Sequence, residues 1–155
     1  PGYALDIPGD QNLLKQRLRD LFPLHKAATD GFLDEVWATA DELDNLPSAM
    51  NVRTMIRRVH RITRVLRYRK ATLQDVFDQF EVPPPAQTLL ALQWPDFLLP
   101  PAKLSFFAWV MLFVGYTRGA YYPTKHFEHV IDTLVATIVD NGGEVVFGQQ
   151  IVINK

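Results

Sequence analysis

The chain has 155 residues, of which 48% are hydrophobic and 21% charged, an ordinary globular composition with enough sequence for one core. Its net charge of −1 gives no support to nucleic-acid binding or an acidic substrate. The absence of cysteine excludes a disulfide framework, a thiol nucleophile and a thiolate metal site. The first residues have neither the basic start nor the apolar run of a signal peptide.

The N-terminal part is predicted to be helical after one short strand. Tyr3 to Ile7 alternates in polarity and ends at Pro8-Gly9, which favours a strand followed by a turn. Asp10 is a candidate N-cap for a helix over Gln11 to Leu21. Pro23 is suited to the first turn of the next helix, which is predicted to continue to Leu46.

The segment Arg53–Arg69 is predicted to be a basic amphipathic helix. Its arginines lie mostly off the apolar face and are Arg53, Arg57, Arg58, Arg61, Arg64 and Arg67. The helix fits a solvated face paired with the acidic residues of 34–42, or a peripheral contact with an anionic membrane. A single basic helix without a recognised module is poor support for nucleic-acid binding, and we expect none.

Three further helices are predicted before residue 117. Thr72 is placed to cap a short helix through Phe80, with Asp75 completing a capping box. Another short helix is predicted over Ala86 to Gln93. The helix from Phe106 to Tyr116 is apolar nearly all round, so we expect it to be central and buried. It is too short to span a bilayer, which needs about 20 residues.

A helix and two strands are predicted after the aromatic stretch that begins at Tyr121. Thr124 is a candidate N-cap, and the apolar residues that follow recur at helical spacing. Gly142-Gly143 is placed to end the helix, because glycine accepts the left-handed conformation. Glu144 to Phe147 and Ile151 to Ile153 are predicted to be strands. A start without methionine and a strand-like end suggest a piece of a longer protein.

The order of several motifs resembles the FAD-dependent phytoene desaturase, carotenoid isomerase and retinol saturase family. The motifs are an aromatic residue before Tyr122-Pro123, an apolar-striped helix, Gly142-Gly143-Glu144-Val145, Gly148 and a second strand. Leu21-Phe22-Pro23 before a long helix and Thr72 to Phe77 before a short one occur upstream in the same order. The resemblance covers roughly Ile7 to Lys155.

The resemblance implies a parent enzyme that binds FAD and acts on an apolar, polyene substrate. No Gly-x-Gly-x-x-Gly loop follows a strand in this chain, so the dinucleotide-binding fingerprint is absent. We therefore expect the substrate-side part of such an enzyme, with the missing flavin domain of the same chain as its partner. The isolated piece is expected to bind no FAD and to be inactive.

The resemblance also suggests site residues. Tyr121, Tyr122, Lys125 and His126 are expected nearest the flavin. The residues expected to bind substrate are Phe106, Trp109, Met111 and Phe113, which are equally well explained as core. The family usually has Gly-Gly where this chain has Lys125-His126. The flavin is then approached differently, these two side chains take a new role, the parent has lost flavin chemistry, or both are ordinary solvated first-turn residues.

No other chemistry has a recognisable motif. His126 and His129 are three apart on one helix, with Glu128 and Asp132 nearby, but they match no helix-borne metal motif, so no metal is expected. Neither Gly-x-Ser-x-Gly nor His-Glu-x-x-His is present, which leaves hydrolytic chemistry without support. No catalytic residue is assigned.

The predicted fold is α+β, mainly α: a helical substrate or cap domain with a few short strands at its two ends. Residues 1–123 form the helical substrate-binding region, and 124–155 a helix and β-hairpin leading back to the flavin domain, as one compact unit. The exposed strands are expected to pair with each other or in a homodimer. The competing function is a non-enzymatic helical interaction module. The predicted location is cytoplasmic, with a peripheral membrane contact as the open alternative.

Overall fold

The computed structural model describes residues 3–46, 62–93, 96–119 and 121–149. Within them the chain forms seven α-helices, and a 3₁₀ turn at Pro23–His25 joins the first two. The helices are α1 (Gln11–Leu21), α2 (Lys26–Asp44), α3 (Thr63–Tyr68), α4 (Leu73–Gln79), α5 (Pro84–Leu90), α6 (Phe106–Thr117) and α7 (His126–Asp140). The chain divides into an N-terminal unit, Pro1–Ala120, and a C-terminal unit, Tyr121–Lys155. The division lies near the predicted boundary after Pro123.

The predicted α+β fold is wrong for the described residues, because they contain no β-strand. Tyr3–Ile7 does not pair with another backbone: Leu5 and Ile7 pack against the helical core, and the Tyr3 ring lies 5.3 Å from that of Phe22. Alternating polarity there reflects packing on a helix surface. Residues 144–147 also form no strand with any other described residue, and the predicted strand at 151–153 lies outside the described ranges.

We predicted a homodimer formed by pairing of exposed strands, but the described residues contain no strand that could pair in this way. A strand is stable only when its N–H and C=O groups find partners on a neighbouring strand. Alternation of side chains indicates which residues would be suited to a sheet, but supplies no partner. For Tyr3–Ile7 and 144–147 the signal was misleading for that reason.

The core of the N-terminal unit is centred on α2 and α6. Phe32 of α2 lies 5.7 Å, centroid to centroid, from Trp109 of α6, which stacks on Phe113 at 4.6 Å. Phe77 of α4 completes the cluster, 4.8 Å from Phe32. All four side chains are fully buried. Aromatic pairs at such distances contribute about 0.5–1.5 kcal/mol beyond their burial.

The prediction that the 106–116 helix is central is confirmed, but burial is one-sided. The residues of α6 that enter the core are Phe106, Trp109, Val110, Phe113 and Val114. Met111 and Tyr116 point outward and are exposed. Among the described residues, no helix combines the length and apolar character that crossing a bilayer requires.

Two predicted helix caps are confirmed. The Asp10 side chain accepts the backbone N–H of Leu13 at 2.8 Å, at the start of α1. Thr72 and Asp75 form a complete capping box at the start of α4: the Thr72 hydroxyl accepts the Asp75 N–H, and the Asp75 carboxylate accepts the Thr72 N–H. Local sequence was sufficient here because both partners lie within one turn.

The predicted basic helix is described only in part, because residues 47–61 lie outside the described ranges. Its C-terminal part is α3, and the proposed pairing with the acidic part of α2 is confirmed for one residue. Arg64 contacts the carboxylates of Glu35, at 3.2 Å, and Glu42, at 3.1 Å.

The C-terminal unit contains α7, which begins at His126 and not at the predicted cap. Lys125 occupies the N-cap position, and no side-chain hydrogen bond caps the helix, so the prediction of Thr124 as N-cap is wrong. The predicted glycine stop is confirmed. Gly142 has φ +80°, its N–H donates to Val139 O, and the Gly143 N–H donates to Ile138 O, which together form a Schellman motif.

Candidate functional site

The residues expected nearest the flavin form an exposed aromatic corner at the start of α7. The Tyr122 ring lies 5.1 Å from Phe127 and 6.1 Å from His126, nearly perpendicular to both. Tyr121 is 92% exposed. The structure thus brings Tyr122 and His126 together, while Tyr121 stands free in solvent. Exposed rings of this kind offer flat apolar surface on which a planar group could stack.

The backbone of this corner is unusual at His126. Its φ is +66°, although it carries a side chain, and its N–H donates to the Pro123 carbonyl at 3.0 Å. The turn Pro123–His126 takes the place of a side-chain cap, which explains why Thr124 does not cap the helix. Lys125 is exposed at the N-terminal end, where the helix dipole adds to its positive charge.

The four residues expected to bind substrate do not form one surface. Phe106, Trp109 and Phe113 are fully buried and belong to the core, whereas Met111 is 64% exposed on the outer side of α6. The helical spacing accounts for this separation, because Met111 is two residues from both Trp109 and Phe113. Met111 alone of the four presents a surface to a ligand.

Two residues of the core, Trp109 and Thr39, carry buried polar groups without a hydrogen-bond partner among the described residues. The indole Nε1–H of Trp109 is buried and has no hydrogen-bond acceptor among the described residues. The hydroxyl of Thr39 on α2 is likewise buried without a partner in that part of the chain. Unsatisfied buried groups of this kind cost about 1–3 kcal/mol each. No sequence pattern indicates them, because they depend on which side chains surround the indole and hydroxyl.

A polar network joins α2 to α3. The Glu42 carboxylate accepts four hydrogen bonds, from the backbone N–H of Arg64 and of Val65, the Thr63 hydroxyl and the Arg64 guanidinium. Desolvation lowers the pKa of Arg64, but hydrogen bonds and the charges of Glu35 and Glu42 outweigh it, so the pKa is raised. Both oxygens of the Glu42 carboxylate are therefore engaged in holding α2 and α3 together.

Tyr68 extends this network into the core. Its hydroxyl accepts a hydrogen bond from Gln79 at 3.0 Å, and the Arg67 guanidinium lies 5.2 Å from its ring centroid. Burial raises the pKa of Tyr68, the Gln79 hydrogen bond opposes that shift, and the charge of Glu35 adds to it. The hydrogen bond between Gln79 and Tyr68 joins α4 to α3.

Sequence reasoning missed a groove of about 570 Å³ on the N-terminal unit. It lies between the α1–α2 corner and the connection from α4 to α5. Its lining residues are Tyr3, Leu21, Phe22, Pro23, Leu24, His25, Glu81, Val82, Pro83, Pro84 and Pro85. The proline run at 83–85 indicated a stiff connector, but not that two distant segments would enclose space beside it.

The described residues hold no grouping of three histidine, aspartate or glutamate side chains suited to a metal. They also contain no glycine-rich loop before a helix that could cradle a dinucleotide pyrophosphate. In comparisons with known proteins, no family model, curated protein or solved structure matches the chain.

Proposed function

We propose that this chain is the substrate-side helical part of a FAD-dependent oxidoreductase resembling phytoene desaturases and carotenoid isomerases, acting on an apolar polyene substrate. The flavin would carry out the redox step, and this chain would bind and orient the substrate. The parent protein is then the enzyme, and the isolated chain is inactive and holds no FAD. The sequence motifs support this proposal, and one feature of the C-terminal unit carries it structurally.

That feature is the uncovered apolar side of α7. Its residues recur at helical spacing and are 42–61% exposed: Phe127, Val130, Ile131, Leu134 and Ile138. None of the fifteen residues of α7 is buried. A helix in water is normally stabilised by packing its apolar side against another element. The pattern favours a helix that packs against further protein, which we propose is the flavin domain.

The residues after α7 support the same proposal. The Schellman motif turns the chain back at Gly142-Gly143, and a Cβ on Gly143 would lie 2.6 Å from the Ile138 Cγ2 atom. Val146 and Phe147, which follow, are apolar and exposed. A helix with an uncovered apolar side, followed by a tight turn and further exposed apolar residues, is suited to packing against the flavin domain.

The aromatic corner is suited to face the flavin in this arrangement. Tyr121, Tyr122, Lys125 and His126 are all exposed, so each could contact a cofactor held by the flavin domain. The positive charge of Lys125 at a helix N-terminus favours an anionic group, such as a reduced flavin ring. In the family, the Gly-Gly backbone comes close to the flavin. In this chain we propose that the side chains of Lys125 and His126 take that place.

On the substrate side, Met111 is proposed to contact the polyene directly. Phe106, Trp109 and Phe113 would act beneath it, by fixing the position of α6 through their packing in the core. Flexible, polarisable methionine side chains suit long apolar ligands of variable shape. Phe106, Trp109 and Phe113 are fully buried and could contact the ligand only if the core opened.

The test compares Leu134→Asp in the full-length parent and in the 155-residue chain. In the parent, the variant should lose the visible absorbance of bound flavin, because a carboxylate is placed in the proposed contact with the flavin domain. In the isolated chain, the same change should leave thermal unfolding unchanged, since Leu134 is 60% exposed.

Ala136→Asp is the matched control, because Ala136 lies on the opposite side of α7 and is exposed. It should retain flavin in the parent. A parent that purifies without flavin, or that keeps it fully in Leu134→Asp, would argue against the proposal. FAD bound at micromolar concentration by the 155-residue chain would refute its assignment as the substrate-side part.

The competing function is an interaction module that contacts a membrane from the cytoplasm through the basic segment 53–69. Residues 53–61 lie outside the described ranges, but Arg67, Arg69 and Lys70 are exposed and favour this alternative. Arg64 is engaged by Glu35 and Glu42. Salt-sensitive sedimentation with phosphatidylserine vesicles, lost in the double variant Arg67→Glu, Arg69→Glu, would support a membrane contact. Unchanged sedimentation would exclude these residues from it.

A further inference from the structure

The groove at the α1–α2 corner has the size and walls of a small-molecule site. Its volume of about 570 Å³ falls within the range typical of such sites. Phe22, Val82 and Pro83 are the buried part of its lining, with Phe22 at 6% and Val82 at 3% exposure. Leu24, by contrast, is 93% exposed although it is apolar. Such a side chain beside an open apolar groove supplies surface that a ligand could cover.

Glu81 is the carboxylate that lines this groove, and its backbone is strained. α4 ends in a Schellman motif: Val82 N–H donates to Phe77 O at 3.0 Å, and Glu81 N–H donates to Asp78 O at 3.1 Å. The residue between these bonds must take the left-handed conformation, and Glu81 does so with φ +55°. Glycine usually occupies such a position, because a Cβ is disfavoured there.

The charge of Glu81 is not neutralised within the described chain. No lysine, arginine or histidine in the described ranges forms an ion pair with it. A carboxylate beside an apolar wall favours a ligand of opposite charge, since that ligand can bury its apolar part and keep its cation at the edge.

Tyr3 adds to this preference for a cation. Its ring lines the groove and is half-exposed, held against Phe22 at 5.3 Å. The face of an aromatic ring attracts an ammonium group, and the exposed side chains of Pro84 and Pro85 offer apolar surface without charge. Besides Tyr3, His25 and Glu81 are the ionisable residues of the lining, and Glu81 supplies its negative charge. The groove is therefore complementary to a compact cation attached to a hydrocarbon body, and Glu81 disfavours an anion of the same shape.

We propose that this groove binds small apolar molecules that carry one cationic amine, with Glu81 as the counter-ion. The inference is independent of the proposed flavin chemistry, because it uses only residues of the N-terminal unit that have no role in that proposal.

The test titrates isotope-labelled 155-residue chain with octylamine, octanol and octanoate, which share a hydrocarbon chain and differ in head-group charge. Chemical shifts should move at the amides of Tyr3, Phe22, Leu24 and Val82. Octylamine should bind about threefold or more tightly than octanol, the range expected for one partly exposed ion pair. Octanoate should bind most weakly.

Two variants separate charge from apolar contact. Glu81→Gln should remove the preference for octylamine and leave octanol binding unchanged. Leu24→Ser should weaken all three ligands, and because Leu24 is almost fully exposed it should not affect folding. Glu128→Gln removes one negative charge from the C-terminal unit and should leave every affinity unchanged.

Equal affinities for the three ligands in the native chain would overturn the proposal. So would a preference for octylamine that survives Glu81→Gln, or chemical-shift changes confined to residues away from the groove. Binding of none of the three would overturn it as well, and would direct attention to a peptide or no ligand at all.

Discussion

The Glu42 carboxylate of α2 accepts the backbone N–H of Arg64 at 2.8 Å, so that a side chain of one helix caps the N-terminus of another. The same oxygen accepts the N–H of Val65 at 3.2 Å. These are the positions that an N-cap side chain normally serves. Ile62 occupies the N-cap position of α3 and has no side chain able to do this. A residue twenty or more positions away replaces the local cap.

We expect Glu42→Ala to destabilise the chain by about 2 kcal/mol. The change removes four hydrogen bonds and leaves the first-turn N–H groups of α3 without their acceptor. Arg64 keeps Glu35 as a partner, which limits the loss. Urea unfolding followed by circular dichroism measures the effect. Asp41→Ala on the same helix is exposed and should cost less than about 0.5 kcal/mol; equal midpoints for the two variants would contradict the role of Glu42.

The capping box of α4 should make stability depend on acid pH. Hydrogen bonds from the Thr72 backbone N–H and hydroxyl lower the pKa of Asp75. A carboxylate with a lowered folded-state pKa stabilises the fold fully above its ordinary pKa of about 3.9, and that stability is lost as pH falls through the lowered value. We therefore expect Asp75→Asn to flatten the decline of the urea midpoint between about pH 5 and pH 2.

Asp78→Asn provides the comparison for that experiment. Asp78 lies on the same helix and accepts a hydrogen bond from Gln74, but it takes no part in the cap. Its variant should keep the acid-induced decline of the native chain. If Asp75→Asn and Asp78→Asn show the same pH profile, the capping box is not the source of the dependence.

The helix caps show when an N-cap can be predicted from local sequence and when it cannot. Asp10 and Thr72 were predictable because each meets its N–H partner three residues later. Glu42 was not, since its partners lie in α3 and come near only after α2 and α3 pack together. Thr124 resembled Asp10 in sequence, but the Pro123–His126 turn replaced it. Spacing predicts a cap only where the backbone reaches the helix in the extended conformation that a cap requires.

The sequence suggested which residues belong to the candidate site, but it did not indicate which of their side chains are exposed. The sequence placed Trp109 and Met111 in one apolar helix, and only packing against α2 buried the first and exposed the second. The strand assignments at 3–7 and 144–147 failed for a related reason, because alternation does not reveal the pairing partner. Glu81 gave no signal either: a helix stop is recognised by glycine, and this Schellman motif has none.

Glu81→Gly should stabilise the chain by about 1 kcal/mol, although it removes a charged side chain. Glycine accepts the left-handed conformation at this position without the penalty that a Cβ carries. Glu81→Gln keeps the Cβ and should leave stability within about 0.5 kcal/mol of the native value. Thermal and urea unfolding of the pair separate backbone strain from charge. A destabilised glycine variant would mean that the Glu81 side chain contributes contacts that outweigh the strain.

Trp109 and Met111 provide the sharpest comparison on α6, because they lie two residues apart and differ in burial. Trp109→Ala should destabilise by about 3–5 kcal/mol, since it empties the space between Phe32 and Phe113 in the fully buried core.

Trp109→Phe should cost less than that, because it also removes the unsatisfied indole N–H. Met111→Ala should change stability by less than about 0.5 kcal/mol, since the side chain is 64% exposed. Urea unfolding measures all three. In the full-length parent, binding of all-trans-retinol as a polyene probe should weaken in Met111→Ala while the fold is retained. Retinol binding unaffected by Met111→Ala would remove this residue from the substrate surface and leave α6 with a purely structural role.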